Sequence, residues 1–178
     1  MPDLTPIPTN YRGCRFRSRL EARWAVFFDA LEIAWQYEDQ GYLVDGTPYL
    51  PDFYLPHLRA FVEIKPPTEW FYHDRCQRLA FESGKRVLHI AGDPWPGSYR
   101  ISVYHPDGTC TGGERLRFAL GRGEDREVWV IGDDIWLCLN PLTDGEELPQ
   151  EGAARLMAAY GAARSARFEH GERGRTRS

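Results

Sequence analysis

The chain has 178 residues, the length of one average domain with room for an appendage, and 42% of them are apolar, as in an ordinary globular protein. Its net charge of −4, from 22 basic and 26 acidic residues, argues against a uniformly basic nucleic-acid-binding coat and against a polybasic membrane anchor. No apolar run approaches the roughly 20 residues that cross a bilayer. The N-terminus lacks a signal-peptide pattern, and the four cysteines lack metal or disulfide spacing. We therefore expect a soluble cytoplasmic protein with reduced thiols and no membrane partner.

Arginine dominates the basic residues. Only Lys65 and Lys85 are lysines, so 20 of the 22 basic residues are arginines. Codon bias is the simplest explanation and the one we favour, although arginine also binds phosphate in a two-pronged fashion and would suit a DNA-facing surface. Residues 1–92 carry 11 basic and 12 acidic side chains, whereas residues 93–150 carry 5 and 11. The negative total therefore comes mainly from the second segment.

The N-terminal segment is predicted to form an arm followed by a helix. Residues 1–10 contain three prolines and no periodicity, as expected for an arm. Apolar side chains at helical spacing then predict a helix at 19–31, and a basic segment precedes it. The apolar positions are Leu20, Trp24, Phe27, Phe28 and Leu31. The arginines in and before this helix are Arg12, Arg15, Arg17, Arg19 and Arg23.

The middle of the chain alternates predicted strands with one helix. Turn residues and changes in apolar period mark the boundaries, and Gly84 is placed to cap the helix. The predicted elements are a strand at 34–37, hairpin arms at 49–55 and 60–65, a helix at 70–83 and a buried strand at 86–91.

The remainder of the chain is predicted to be rich in strands and to end in a helix. The elements are a strand at 99–104, a hairpin of 128–131 and 135–139, a helix at 152–168 and a polar, disordered tail at 171–178. We divide the chain into a core at 11–92, a β-rich extension at 93–150 and a C-terminal helix with tail at 151–178. The extension belongs either to the same domain or to a small accessory subdomain.

One constellation of residues suggests chemistry. Pro51-Asp52 lies in the first hairpin arm, and Glu63-Ile64-Lys65 ends the second. Because side chains alternate along a strand, Glu63 and Lys65 share one face, and the hairpin brings Asp52 beside them. Two carboxylates and an amine at a sheet edge suit Mg²⁺, which binds through one or two carboxylates and substrate phosphate oxygens. A lysine in so lysine-poor a chain supports this interpretation, since an ammonium is compact and its pKa can be lowered.

These residues in this order resemble the PD-(D/E)XK nuclease superfamily, whose core has the order helix, three strands, helix, strand. The resemblance covers residues 11–92 and implies an α/β fold with a restriction-endonuclease-like core, in which helices flank a central mixed β-sheet; here a β-rich extension follows. The run from Tyr11 to Phe28 is also similar to a group of small nuclease-like proteins from phages and bacteria. Glu21 matches the helix carboxylate of transposon-end endonucleases and Holliday-junction resolvases.

The resemblance implies a role for each site residue. Asp52 and Glu63 would be the principal metal ligands, with the Ile64 carbonyl as a third and Glu21 binding the metal directly or through water. Lys65 would orient or deprotonate the attacking water, or stabilise the pentavalent phosphate. A further candidate is Gln77, which resembles the glutamine of a Gln-x-x-x-Tyr element, although Phe81 stands where that element has tyrosine.

Structural alternatives exist for each of these residues. Ser18-x-x-Glu21 is also a capping box, and we weigh the two roles of Glu21 equally. Glu63 and Lys65 could form a simple ion pair and Asp52 could be a turn residue, but we favour the catalytic interpretation. Gln77 is more typical of an ordinary helix surface. The five arginines of the N-terminal segment suit a solvated face and phosphate contacts equally well.

The sequence thus favours a DNA endonuclease that uses Mg²⁺, or Mn²⁺ in its place, to activate water against a phosphodiester. A nuclease-fold module that binds DNA without cutting it is the alternative, and an α/β interaction protein is a third hypothesis. DNA is the expected partner, and a homodimer remains open.

Overall fold

The computed structural model describes residues 7–70, 73–113, 116–121, 128–132, 136–139 and 154–168. Within these ranges the fold is mixed α/β, as expected, with three helices and 13 strands. The helices are α1 Arg19–Ala30, α2 Asp74–Ser83 and α3 Ala154–Ser165. The strands are β1 Thr9–Tyr11, β2 Cys14–Phe16, β3 Gln36–Tyr37, β4 Tyr42–Val44, β5 Thr47–Tyr49, β6 Phe53–Leu55, β7 Ala60–Lys65, β8 Arg86–Gly92, β9 Tyr99–Tyr104, β10 Cys110–Gly113, β11 Arg117–Leu120, β12 Val128–Ile131 and β13 Trp136–Cys138.

A six-stranded mixed sheet with the order β10-β9-β8-β7-β6-β3 forms the centre of the fold. Strands β7 and β8 are parallel and are joined through α2, whereas the other neighbouring pairs are antiparallel. Gly84 caps α2 in the left-handed conformation, as predicted. Smaller sheets pair β1 with β2, β4 with β5, and β11 through β13.

One face of the central sheet carries the main hydrophobic core. Helix α1 buries an aromatic stripe that includes Trp24, Phe27 and Phe28, and helix α3 packs beside it, with Tyr160 stacked on Phe27 at 4.9 Å between ring centroids. Strands β11 to β13 also contribute side chains to this core. The Trp24 indole N–H donates a hydrogen bond of 2.9 Å to the Gly92 carbonyl, which fixes α1 against the end of β8.

Helix α2 covers the opposite face, where the apolar cluster is smaller. It includes Phe61, Cys76, Leu79, Val87 and Tyr104. Phe61, Val87 and Tyr104 are register neighbours on β7, β8 and β9, so they define one face across three strands. Further along β7, Glu63 and Lys65 follow Phe61 on this face because side chains alternate.

The turn after β8 is tightly constrained. Gly92 has φ +117°, and a Cβ atom there would lie 2.0 Å from the Ser98 carbonyl oxygen. Glycine is therefore required for the loop 93–98 to fold back against the strand. Strand β9 then pairs with β8 in the same sheet. The boundary that we placed between the core at 11–92 and the extension at 93–150 therefore lies between two hydrogen-bonded strands.

Several predicted boundaries move. The strand expected at 34–37 is only β3, and the helix expected at 152–168 ends with α3 at Ser165. The first hairpin arm is predicted at 49–55, but pairing with β7 begins only at Phe53, since Pro51 has no N–H to donate and Tyr49 of β5 pairs with Tyr42 of β4. The helix expected at 70–83 begins at Asp74, an acidic residue suited to a first turn. The tail predicted at 171–178 lies outside the described residues.

Two further expectations concern membranes and thiols. No helix in the described ranges is long and apolar enough to cross a membrane. All four cysteines are free thiols, as their spacing predicted.

Candidate active site

The hairpin of β6 and β7 brings Asp52 and Glu63 together. The register pairs Phe53 with Val62, and one step further Asp52 stands opposite Glu63. Both carboxylates are buried, at 4% and 5% exposure. The Ile64 N–H donates a hydrogen bond of 2.7 Å to Asp52 Oδ2, which fixes the side chain against the neighbouring strand. The juxtaposition predicted from the sequence is therefore present.

Lys65 contacts Glu63 directly. Its Nζ lies 2.5 Å from Glu63 Oε1, while Glu63 Oε2 is buried and forms no hydrogen bond of good geometry within the described residues. Such an unsatisfied buried oxygen costs free energy unless a ligand, an ion or water compensates it. The Tyr49 hydroxyl lies near enough to Glu63 for the carboxylate to raise the pKa of that phenol. Burial, together with the charge of Glu63, raises the pKa of the adjacent Cys76 thiol to about 12, so Cys76 is an inert neighbour and not a nucleophile.

Burial and repulsion between neighbouring carboxylates disfavour negative charge in the site. Burial raises the pKa of Asp52 well above its ordinary value, and the nearby carboxylates of Glu63 and Glu21 raise it further. For Lys65, burial lowers the pKa, but the attraction of Glu63 and Asp52 outweighs it and the pKa rises. Lys65 thus remains an ammonium in the metal-free protein, which favours its role in stabilising charge over that of removing a proton from water.

Glu21 is buried, and Ser18 caps the helix as the spacing predicted, but the Glu21 carboxylate accepts from the Arg17 N–H and not from the N–H of Ser18 as a capping box would have it. The Glu21 N–H donates to Ser18 Oγ at 3.2 Å, and Ser18 Oγ donates to Glu21 Oε1 at 2.6 Å. Glu21 Oε2 accepts from the Arg17 N–H at 3.1 Å and from the Tyr37 hydroxyl at 2.7 Å. Both oxygens are therefore engaged, although the carboxylate remains close enough to Asp52 to raise its pKa.

Arg17 lies inside the site. Its Nη2 is 3.1 Å from Asp52 Oδ1 and its Nε is 2.6 Å from Glu38 Oε1. A side chain predicted to contact phosphate instead neutralises one of the candidate metal ligands. Nothing in the sequence predicts this contact, because the two residues are separated by 35 positions and meet only through the packing of α1 against the hairpin.

The other predicted DNA-contacting arginines differ among themselves. Arg12 pairs with Asp29 at 2.9 Å and Arg23 with Asp93 at 2.7 Å. Arg15 and Arg19 are exposed, and within the described ranges neither forms an ion pair. Of the five predicted arginines, three are therefore paired, and two, Arg15 and Arg19, form no ion pair with any residue that the structure describes.

Gln77 anchors α2 and does not join the carboxylates. Its Nε2 donates a hydrogen bond of 2.9 Å to the His105 carbonyl, which follows β9. Gln77 is therefore a partly buried residue with a structural contact, and not the ordinary helix-surface residue that we expected.

Tyr37 and Tyr49 are neighbours of the site that sequence reasoning missed. Tyr37 donates to Glu21, and the Tyr49 hydroxyl lies 3.9 Å from Cys76 Sγ. Burial raises the pKa of both phenols, so both remain neutral donors. The sequence placed each of them on a strand, but nothing in its spacing connected them to the carboxylates.

The residues present fit a hard divalent cation. Among the described residues, no three His, Cys, Asp or Glu side chains form a ready-made ligand cluster. Mg²⁺ does not require one, because it commonly binds through one or two carboxylates and completes its shell with water and phosphate oxygens. Buried Asp52 and Glu63, with their mutual repulsion and the unpaired Glu63 Oε2, offer that incomplete set.

No known protein-family model matches this chain, and no curated protein matches it either. Its function is therefore inferred from the geometry and chemistry of the site.

Proposed function

We propose that this protein is a Mg²⁺-dependent DNA endonuclease of the PD-(D/E)XK type. The observation that carries the proposal is the pair of buried carboxylates, Asp52 and Glu63, beside half-buried Lys65, with one buried oxygen of Glu63 that forms no hydrogen bond of good geometry within the described residues. Burying two repelling carboxylates destabilises a fold, and such groups gather where a site must bind a cation or handle protons.

The order of elements supports a restriction-endonuclease-like core. Helix α1 is followed by the sheet strands β3, β6 and β7, then by α2 and β8. This is the order helix, three strands, helix, strand expected from the sequence, with the β4–β5 hairpin inserted after β3. The candidate residues lie at the start of β6, at the end of β7 and in the first turn of α1.

In this proposal, Asp52 and Glu63 would hold Mg²⁺ or Mn²⁺ with the Ile64 carbonyl, and Glu21 would assist directly or through water. When bound, the ion supplies a Lewis acid that polarises the phosphoryl group and lowers the pKa of a water molecule. The Lys65 ammonium stabilises the charge that develops on the phosphate. The Ile64 N–H holds Asp52 in position, and exposed Arg15 and Arg19 contact the DNA backbone.

A nuclease-fold protein that binds DNA without cutting it is the second candidate. The Arg17 contact favours it, because a guanidinium 3.1 Å from Asp52 Oδ1 occupies one side of the ligand that a metal would need. In this case Arg17 permanently replaces the cation, and the carboxylates serve to fix the basic segment on the fold.

Plasmid nicking separates these functions. Supercoiled DNA is incubated with the protein and Mg²⁺ or Mn²⁺, beside a Glu63→Ala variant and a Glu82→Ala control that changes an exposed glutamate on α2. We expect nicking by the wild type and the control, and none by Glu63→Ala.

The other outcomes are equally informative. Retarded but intact DNA would support the non-cutting module, and no effect on DNA would support an α/β interaction protein. Equal nicking by the wild type and Glu63→Ala would overturn the site assignment.

A further inference from the structure

A groove of about 730 Å³ opens at the carboxyl ends of β7 and β8. Its lining includes Pro67, Trp70, Ala91, Asp93 and Arg100. None of these residues belongs to the candidate active site or to the arginines predicted to contact DNA.

The groove begins beside Lys65. In the sheet register Lys65 pairs with Ala91 on β8, and Ala91 pairs with Arg100 on β9. Side chains at paired positions share one face of a sheet, so Lys65 and Arg100 lie on the same face, two strands apart. Neighbouring strands are about 4.8 Å apart, which gives a separation of about 10 Å between their backbones. A single nucleotide can bridge such a distance.

Trp70 lines this groove and is largely exposed. Its side chain is 51% exposed and belongs to neither hydrophobic cluster of the described residues. The Arg100 guanidinium lies 4.3 Å from the ring centroid, which holds the indole in place by a cation–π contact.

Trp95 provides a comparison within the same molecule. The Arg164 guanidinium lies 4.5 Å from its ring, a nearly identical pairing. Trp95, however, packs against the main core and contacts Tyr160 at 6.5 Å between centroids, so packing explains its presence. Trp70 has the same arginine contact without the packing, and its exposed ring surface is available to a ligand.

The charges around the groove suit an anionic, aromatic ligand. Arg100 and nearby Lys65 are cationic, with Lys65 paired to Glu63, and the carboxylate of Asp93 is paired with Arg23 at 2.7 Å. Cations beside an exposed indole are the combination by which proteins bind single-stranded nucleic acids, because every base has a face that can stack.

We propose that this groove binds an unpaired nucleotide of the DNA next to the scissile phosphate, with its base stacked on Trp70. The inference rests on the proposed nuclease function and names its substrate class, DNA with a single-stranded stretch at the cut. In a duplex the faces of the bases are covered by their neighbours, so only an unpaired or extruded base can stack on a side chain.

Binding tests the proposal without requiring cleavage. A fluorescein-labelled single-stranded 20-mer and a duplex of the same length are titrated with the full chain in EDTA, and anisotropy is recorded. Trp70→Ala should weaken binding to the single strand about 5- to 20-fold, as expected for the loss of one stacked base, and binding to the duplex less than about twofold. Trp70→Phe should retain most of the wild-type affinity for the single strand.

A matched control changes an aromatic residue elsewhere. Phe81 on α2 is 71% exposed, and Phe81→Ala should leave both affinities unchanged. Because Trp70 is exposed, its variants should keep the wild-type Tm. Three results would overturn the proposal. Trp70→Ala could weaken binding to single strand and duplex equally, it could weaken neither, or Phe81→Ala could cause the same loss of affinity.

Cleavage separates this inference from the nuclease assignment. If the wild type nicks DNA and Trp70→Ala cuts a flap substrate as well as the wild type does, the groove assignment fails alone. If no substrate is cut but single-strand binding still depends on Trp70, the nuclease assignment fails and the groove stands as a single-strand site.

Discussion

The two faces of strand β7 carry side chains of opposite character. Val62 and Ile64 point into the main core with the aromatic stripe of α1. Their neighbours on the strand, Glu63 and Lys65, point to the opposite face, where Glu63 is buried and Lys65 half-buried. One strand therefore contributes alternately to stability and to the site.

The contrast shows how a small fold accommodates destabilising charges. The α1 face buries large aromatic side chains in contact with one another, and burying such a side chain contributes about 1.5–3 kcal/mol. The α2 face has a smaller apolar cluster beside repelling carboxylates. Stability supplied on one face permits a site on the other that would be unfavourable by itself.

Removing Trp24 should destabilise the α1 face and have the largest effect on the free energy of unfolding. Trp24 is fully buried and hydrogen-bonded to Gly92, so Trp24→Ala should lower the free energy of unfolding by about 3–5 kcal/mol. Urea denaturation measures this loss. A loss below about 1 kcal/mol would show that the α1 face is not the main source of stability.

Lys65→Arg should affect the other face and reduce function while sparing stability. A guanidinium is broader than an ammonium and cannot occupy the same place between Glu63 and the phosphate. We expect at least about a 100-fold loss of nicking rate, about 2.7 kcal/mol in activation free energy, with Mn²⁺ binding retained. The control is Lys85→Arg, which changes the other lysine of the chain. Near-normal nicking by Lys65→Arg would exclude a role that needs a compact amine.

Asp52→Asn should have the smallest effect of the three substitutions, and it should raise the free energy of unfolding instead of lowering it. Without metal, burial and neighbouring carboxylates raise the pKa of Asp52, so the unfolded state ionises first and stability falls as pH rises from about 3.8 through the folded pKa. The variant should therefore gain on the order of 1 kcal/mol at neutral pH, and this gain should vanish at low pH. Urea melts in EDTA at several pH values measure it. A gain that grows as pH falls would contradict the assigned shift.

The sequence predicted the parts of the fold that depend on local patterns. The apolar spacing of α1, the capping pair Ser18 and Glu21, and the glycine that ends α2 are each encoded within a few residues. The hairpin of β6 and β7 is also local, and this is why Asp52 and Glu63 could be placed together. The site's main pair was thus predictable before any tertiary contact was known.

The sequence could not predict contacts that depend on how the elements pack. Arg17 reaches Asp52 and Tyr37 reaches Glu21 only because α1 crosses the hairpin and β3. Likewise, nothing in the sequence distinguishes Trp70 from Trp95, since exposure depends on whether α3 lies against the ring. The arginines of the N-terminal segment look alike in the sequence, but they differ in the structure because only some of them have acidic partners nearby.

The ion pair of Arg17 and Asp52 makes cation binding an exchange. A metal that takes Asp52 Oδ1 as a ligand must displace a guanidinium already 3.1 Å away. Binding free energies are coupled reciprocally. A ligand that draws Arg17 away from Asp52 therefore strengthens cation binding, and a bound cation strengthens the binding of that ligand by the same factor. A phosphate that attracts Arg17 and a divalent ion at Asp52 would therefore bind with positive cooperativity, although they never touch the same atom of the protein.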